Sequence, residues 1–427
     1  MTLKDIHKIY FLGIGGIGMS ALARYFNARG IEIHGYDKTE TTLTKKLVEE
    51  GMKIHYDDNP EKIPSGIDLV IYTPAIPKTN KELRILKKIN CPFKKRAEVL
   101  GMISRQHRTI AVAGTHGKTT TTSILTHILR TGGVDCTAFL GGIAQNYKSN
   151  YVEGKGDWVV VEADEYDRSF LHLSPDIAVI TSMDADHLDI YENVEAMHES
   201  GFKEFVKKIK PNGQLFLQHK LTGHFPDSQR DKKLFETYGV EEGEYRAEKV
   251  RVEAGWFVFS LAGERCSGFL KPGTSNESMR FALPGRHNVE NAMAAISVAL
   301  QLGVSHENIR KALETFKGIK RRFEFIYRDE KHVLINDYAH HPTELKAAIG
   351  AAKELFPNRK ITGIFQPHLY SRTRDFQDDF AKALDGLDEI LLTEIYPARE
   401  EPIPGVSSEI IFEKMQNSNK ELVLKLI

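Results

Sequence analysis

Short apolar runs at 8–12 and 31–36 flank a stretch, 19–29, in which Leu22, Ala23 and Phe26 recur at helical spacing. This rhythm predicts a strand, a helix and a second strand. It continues with a strand at 68–72, the breakers Pro74 and Pro77, and a helix over 80–89. A second unit opens with a strand at 109–112 and a helix over 119–130, followed by strands at 157–161 and 177–181. From 223 to 279, turn residues and short alternations such as 256–259 predict small antiparallel strands added to a parallel core, and an Ala-rich helix follows over 289–302. After a turn at 318–322, a third unit is expected from a strand at 333–335, a helix over 343–355 and a strand at 360–365. The run 422–427 has the pattern of a strand in mid-fold, so the third unit is expected to be incomplete at its end. The expected class is α/β in three domains. These are a Rossmann-like domain at 1–104, a central P-loop ATPase-type parallel sheet with small antiparallel additions at 105–318, and a Rossmann-like domain at 319–427.

Composition narrows the classes of partner. A chain of 427 residues exceeds one ordinary core. Lys plus Arg and Asp plus Glu are each 58, and no block of like charge marks a nucleic-acid arm or an anionic-membrane anchor. Cys91, Cys136 and Cys266 are odd in number and far apart, which fits a reducing cytoplasm better than a disulfide framework. No charged-then-apolar leader and no bilayer-length apolar stretch is present, so no membrane insertion is expected.

Two glycine loops carry the candidate chemistry. Gly13-Ile14-Gly15-Gly16-Ile17-Gly18 follows a strand, opens a helix, and precedes Asp37 at the end of the next strand. Such a loop lets the backbone close on a diphosphate at a helix N-terminus, and leaves open a nicotinamide, a flavin or a UDP-sugar; tight strand-to-helix packing without ligand is the plain alternative. Gly114-Thr115-His116-Gly117-Lys118-Thr119-Thr120 ends in Gly-Lys-Thr at a helix mouth, with Val112 where a generic P-loop has its first glycine. Its backbone N–H groups suit β- and γ-phosphates, Lys118 their charge and Thr119 a Mg²⁺. Strand ends deliver Glu162, Asp164 and Glu165, and Asp184, Asp186 and His187, towards the same crevice, where they read as metal ligands, or more plainly as acidic surface loops. By residue type Asn288 reads first as a helix cap, Arg321 and Arg322 as a solvated turn, and His340 with His341 as a poor chelate.

Taken together, the segments GIGGIGMSALA, AGTHGKTTTT, EADEYDRSFL, DADHLDIY, GRHNVENAMAA, KRRFE, DYAHHPTE and FQPHLYSRTRDF resemble the Mur ligases, in family order from Gly13 to about Ala398. The resemblance implies an ATP-dependent ligase that joins the lactyl carboxylate of UDP-N-acetylmuramate to L-alanine through an acyl phosphate, in peptidoglycan precursor synthesis, as a monomer or homodimer. It implies that Lys118 holds the β- and γ-phosphates, that Thr119 and Glu162 bind one Mg²⁺ and that His187 binds a second. His287, Asn288 and Asn291 would lie on the adenine side, Arg322 on the polyphosphate and Asp337 on the ribose. Tyr338, His340 and Arg372 would place alanine, with His340 and the departing phosphate oxygens as the candidate bases for the amine. Gly15, Gly16, Ile17, Gly18, Asp37, His55, Thr73 and Ala75, with the rest of 73–76, would line the UDP pocket. Leu369 stands where relatives often carry a second basic residue, which leaves Arg372 as the alanine carboxylate contact. The recycling ligase that attaches a tripeptide to the same sugar nucleotide shares most of these segments. A nicotinamide oxidoreductase would explain the loop at Gly13 alone, and a non-enzymatic nucleotide switch the loop at Gly114 alone.

Overall fold

The computed structural model describes residues 3–89, 91–184, 194–225, 235–267, 278–398 and 400–423. Its first sheet has five parallel strands: β1 (Lys8–Leu12), β2 (Glu32–Tyr36), β3 (Lys53–His55), β4 (Leu69–Tyr72) and β5 (Phe93–Lys95), in the order β3-β2-β1-β4-β5. The order reverses beside β1, which opens a ligand crevice at the carboxyl ends of β1 and β4. Apolar β1 is flanked on both sides and buried throughout Ile9–Leu12, as a central parallel strand requires.

The second sheet has ten strands. In chain order these are β6 (Arg108–Ala113), β7 (Cys136–Ala144), β8 (Ser149–Val152), β9 (Trp158–Ala163), β10 (Ile177–Ile180), β11 (Gln214–Gln218), β12 (Phe235–Val240), β13 (Tyr245–Glu253), β14 (Trp256–Ala262) and β15 (Met279–Phe281). They lie in the order β15-β14-β13-β12-β11-β10-β6-β9-β7-β8. As the alternation at 256–259 predicts, β13 and β14, and β14 and β15, pair antiparallel at one margin, whereas β12, in the same stretch, pairs parallel with both β11 and β13. At the other margin β7 and β8 form a hairpin that the pattern of the chain does not announce.

In the third unit, β16 (Glu324–Arg328) and β17 (Val333–Asn336) form an antiparallel pair, while β18 (Thr362–Phe365), β19 (Glu389–Thr393) and β20 (Lys420–Val423) form a parallel sheet. The strand at 333–335 thus closes a hairpin, where the sequence suggested a strand-helix-strand unit. Its turn is built by Asp329, whose carboxylate accepts the N–H groups of Lys331 and His332.

One hydrophobic cluster runs from the first unit into the second, joining Ile9, Phe11 and Phe26 to Ala111, Val159 and Phe202. The third unit has its own core around Phe380, Leu384 and Leu392, and meets the central core through Phe323 and Ala351. Among the described residues, no helix is long and apolar enough to cross a membrane.

Candidate active site

Strand β6 lies between β9 and β10, so three parallel strands aim their carboxyl ends at one place. The strand runs to Ala113 with Val112 fully buried, and the turn begins only at Gly114. That is why position 112 needs no glycine. Gly114 (φ 138°) and Gly117 (φ 82°) take backbone conformations that suit glycine, and a Cβ at either would lie 2.1 Å from Thr181 Oγ1 or 2.4 Å from Asn291 Oδ1. Helix Lys118–Thr131 then starts directly beneath the loop. Thr181 and Ser182, beyond β10, stitch the loop down: Ser182 Oγ accepts the His116 N–H at 2.7 Å and pairs with Thr115 Oγ1 at 2.9 Å.

Lys118 and Glu162 face each other across this rim. The Lys118 ammonium donates to the Gly114 carbonyl at 2.6 Å and to both oxygens of Glu165, at 2.8 and 2.9 Å. Burial pulls its pKa down, but the charges of Glu165, Asp164 and Glu162 outweigh this and hold it above the ordinary lysine value. Glu162 accepts the Gly141 N–H and, at 3.1 Å, the Thr119 hydroxyl. Burial raises its pKa, against the pull of Gly141, Lys118 and Thr119. A hydroxyl and a carboxylate oxygen at this spacing beside a phosphate loop are hard donors suited to Mg²⁺. His187 lies outside the described residues, as does Asp186.

The glycine loop of the first unit reaches the same rim. A cavity of about 330 Å³ is lined by Gly16, Ile17, Gly18 and Thr73 from that unit, and by Lys118, Glu162 and Asp164 from the second. Arg96 also lines it, its guanidinium 3.5 Å from Asp164. Gly15, Asp37, His55 and Ala75 stand outside that cavity. Asp37 accepts the Gly15 N–H at 2.7 Å, so it braces the loop. His55 sits over a buried pair, with Nε2 2.9 Å from the Tyr10 hydroxyl, which itself donates to Glu82 at 2.5 Å. Burial lowers the His55 pKa and raises that of Glu82 to about 7.

On the far side of the loop a second cavity, of about 200 Å³, is lined by His116, Gly117, His287, Asn288, Asn291, Arg322, Asp337 and Glu344. Burial pushes the His287 pKa down to about 4, so its imidazole is neutral and suits an uncharged base better than a phosphate. Asn288 is not the helix cap expected from its residue type. Gly285 (φ 104°) occupies that position, while the Asn288 amide donates to the Pro284 carbonyl and accepts from Asn291 at 3.3 Å. The carboxylate of Asp337 accepts the N–H groups of Phe323 and Ala339, each at 2.7 Å, which pins the linker around Arg322. The His340 Nδ1 lies 2.7 Å from the Tyr338 carbonyl, an acceptor only, so the neutral ring carries its proton there and leaves Nε2 as a lone pair. Burial lowers the His340 pKa, Arg372 and Arg322 add to this, and Glu344 opposes it. Arg372 is buried in the short helix Tyr370–Asp375, just after Leu369.

Three family models match in chain order: the Mur ligase family catalytic domain over 8–108, the Mur ligase middle domain over 112–299, and the Mur ligase glutamate ligase domain over 321–425. A UDP-N-acetylmuramate–L-alanine ligase of Flavobacterium psychrophilum is 49% identical, across 100% of this chain and 92% of that protein. The chain belongs to the Mur ligase family. Another relative of this Mur ligase, a UDP-N-acetylmuramate–L-alanine ligase of Porphyromonas gingivalis, is 46% identical over 98% of this chain and 91% of its own. The crystal structure of a UDP-N-acetylmuramate-alanine ligase from Thermotoga maritima matches with a TM-score of 0.81 at 31% identity, covering 98% of this chain and 90% of that one. A murein peptide ligase from Psychrobacter arcticus shares the fold, with a TM-score of 0.70 at 24% identity over 98% of this chain and 91% of that one.

Three residues of this Mur ligase escaped the reading of the sequence as site residues: Arg96, Ser182 and Glu344. Arg96 opens helix Arg96–Gln106, far from either glycine loop in sequence. Ser182 is one polar residue after a strand, and Glu344 is one acid in a helix's first turn. Glu165, read from sequence with the metal ligands, instead binds Lys118.

Proposed function

We infer that this chain joins L-alanine to the lactyl carboxylate of UDP-N-acetylmuramate with consumption of ATP. The observation that carries this is the full-length match to alanine ligases, seated on one cavity that brings the glycine loop of the first unit to Lys118 and Glu162 of the second. We divide the chain into functional units at 1–104, 105–318 and 319–427, and place the enzyme in the cytoplasm with its nucleotide substrates.

A carboxylate resists an amine because oxide would have to leave. Transfer of the γ-phosphoryl breaks its bond to ADP and forms a P–O bond to the lactyl carboxylate. The alanine nitrogen then bonds to the acyl carbon, phosphate leaves with the C–O electron pair, and the amine loses a proton. Lys118 is held by Glu165 and the Gly114 carbonyl on the side of the loop that faces the UDP-sugar cavity, where it meets the charge that travels with the phosphoryl group. The loop N–H groups of 114–120 receive the β- and γ-phosphates and Arg322 approaches them from the third unit. Thr119 and Glu162 would hold one Mg²⁺ and His187 a second. Mg²⁺, when bound, neutralises charge so that one anion can attack another. Neutral His287, with Asn288 and Asn291, suits the adenine side, and Asp337 the ribose. Gly15 to Gly18, Asp37, His55, Thr73 and Ala75 serve the UDP-sugar. Tyr338 and Arg372 orient alanine, and Nε2 of His340 takes the amine proton.

The test is ATP consumption measured with UDP-N-acetylmuramate and, separately, L-alanine, other amino acids and the murein tripeptide. Turnover should require the sugar nucleotide and prefer L-alanine. Product with tripeptide alone would replace this reading by the recycling ligase, and tight NAD binding without UDP-sugar binding by an oxidoreductase.

A further inference from the structure

One carboxylate gathers groups from both sides of the joint between the second and third units. Glu344 stands in the first turn of helix Pro342–Leu355, mostly shielded from solvent. Its Oε1 lies 3.4 Å from Nδ1 of His116 in the phosphate loop and 3.6 Å from the guanidinium of Arg322 in the linker. Its Oε2 lies 3.3 Å from Nδ1 of His340 and accepts the His340 backbone N–H at 3.1 Å. The three residues it touches belong to the phosphate side, to the linker and to the alanine side. Both His116 and Arg322 share the nucleotide cavity with it.

We propose that Glu344 is a positioning residue for the ligation: it ties His116, Arg322 and His340 into one cluster, so that docking the third unit on the phosphate loop also assembles the alanine side. This rests on the reading given under Proposed function. A carboxylate beside a polyphosphate site would repel the nucleotide if left bare. Here three basic groups surround it, and although burial favours its neutral form, His116, His340 and Arg322 together hold its pKa well below the ordinary carboxylate range. Its charge acts back on His340, opposing the burial and the Arg372 and Arg322 charges that lower that imidazole's pKa. The other ionisable groups around the cluster include His341, its ring tilted against that of His116 at 4.8 Å, Asp184, 3.6 Å from His116 Nε2, and Asp337 and His287. Tyr338 lies tilted against the His340 ring and His368 edge-on to it.

Glu344→Gln keeps the shape and removes the charge. In the full-length protein, kcat should fall ~10-fold or more, in the range of a lost positioning contact. The acidic limb of kcat/KM for alanine should move to lower pH, because His340 loses the charge that raises its pKa. ATP affinity should be unchanged or tighter, since a negative charge leaves the phosphate side; a merely structural lesion would weaken it. Glu344→Asp keeps the charge and shortens the arm, so it should hold the wild-type limb with reduced kcat, and it carries the test if Glu344→Gln does not fold. A Glu344→Gln enzyme with wild-type kcat and limb, or a Glu344→Asp enzyme with wild-type kcat, would overturn the proposal. Absence of alanine-dependent turnover in the wild type would instead overturn the functional reading on which it rests.

Discussion

Lys118 sits between Glu165, which holds it, and the cavity it faces, and its replacement separates binding from chemistry. Lys118→Ala should lower kcat by ~10²–10³, as expected for one lost charge-stabilising donor, while UDP-sugar binding measured by calorimetry stays nearly intact. Wild-type turnover in that variant would remove Lys118 from the reaction. Glu82 makes a different prediction. It is fully buried beneath His55, and burial raises its pKa to about 7, so the neutral acid is the form the fold prefers. A raised carboxyl pKa contributes stability that is fully present below the unfolded value and is lost as pH rises through the folded one. The wild type should therefore lose melting temperature as pH rises from the ordinary glutamate value of 4.5 towards about 7 and level off above it, and Glu82→Gln should flatten that slope. At this scale the sequence exposed the residues that sit in motifs, Lys118, Thr119 and Glu162 among them. It could not say that Glu165 would face Lys118 or that Glu344 would face His116, because an acid in a loop or a first helical turn looks the same whichever way the fold turns it.

The phosphate loop relies on glycine for its left-handed turns, whereas the linker holds such turns without it. Gly117 is left-handed with Asn291 packed against it, so Gly117→Ala combines ~1–2 kcal/mol of backbone cost with displacement of the Asn291 amide, which lines the same cavity. It should melt earlier and bind ATP more weakly in a nucleotide titration, with UDP-sugar affinity preserved. In the linker, Arg321 (φ 60°) and Phe323 (φ 45°) lie on either side of Arg322, without glycine to ease them. Hydrogen bonds hold them there: Arg321 N–H donates to Glu324, Phe323 N–H to Asp337, and Tyr338 N–H to the Arg321 carbonyl. The apolar pattern revealed β1, β2, β4, β6, β9, β10 and β18 and helices such as Lys118–Thr131 and Arg286–Gln301, since buried strands and amphipathic helices carry a period, but not the short β3 and β5, nor β11 and β19. It missed the hairpin of β7 and β8, and it missed the pairing of β16 with β17, whose Asp329 turn lacks a glycine or proline signal.

The three units are not equally independent. Asn150 on β8 donates to the Ile17 carbonyl and to Ser20 Oγ and accepts from Arg24, so a buried polar seam joins the central sheet to helix Ile17–Asn27. The hydrophobic cluster of the first unit continues through that seam. Asn150→Ala leaves buried partners unsatisfied and should cost ~1–3 kcal/mol in urea unfolding, with the first unit melting apart from the second. A single unchanged transition would show that the seam is not what couples them.

The shared core has a practical meaning for anyone recombining such enzymes. On the function proposed above, the acyl donor falls to two units that share one interior, and the amine to a unit with a core of its own, attached through one pinned linker and a few contacts. A chimaera that keeps 1–318 and grafts a relative's third unit should retain its sugar-nucleotide partner and inherit a new amine preference. Exchanging the first unit alone would cut through a continuous interior.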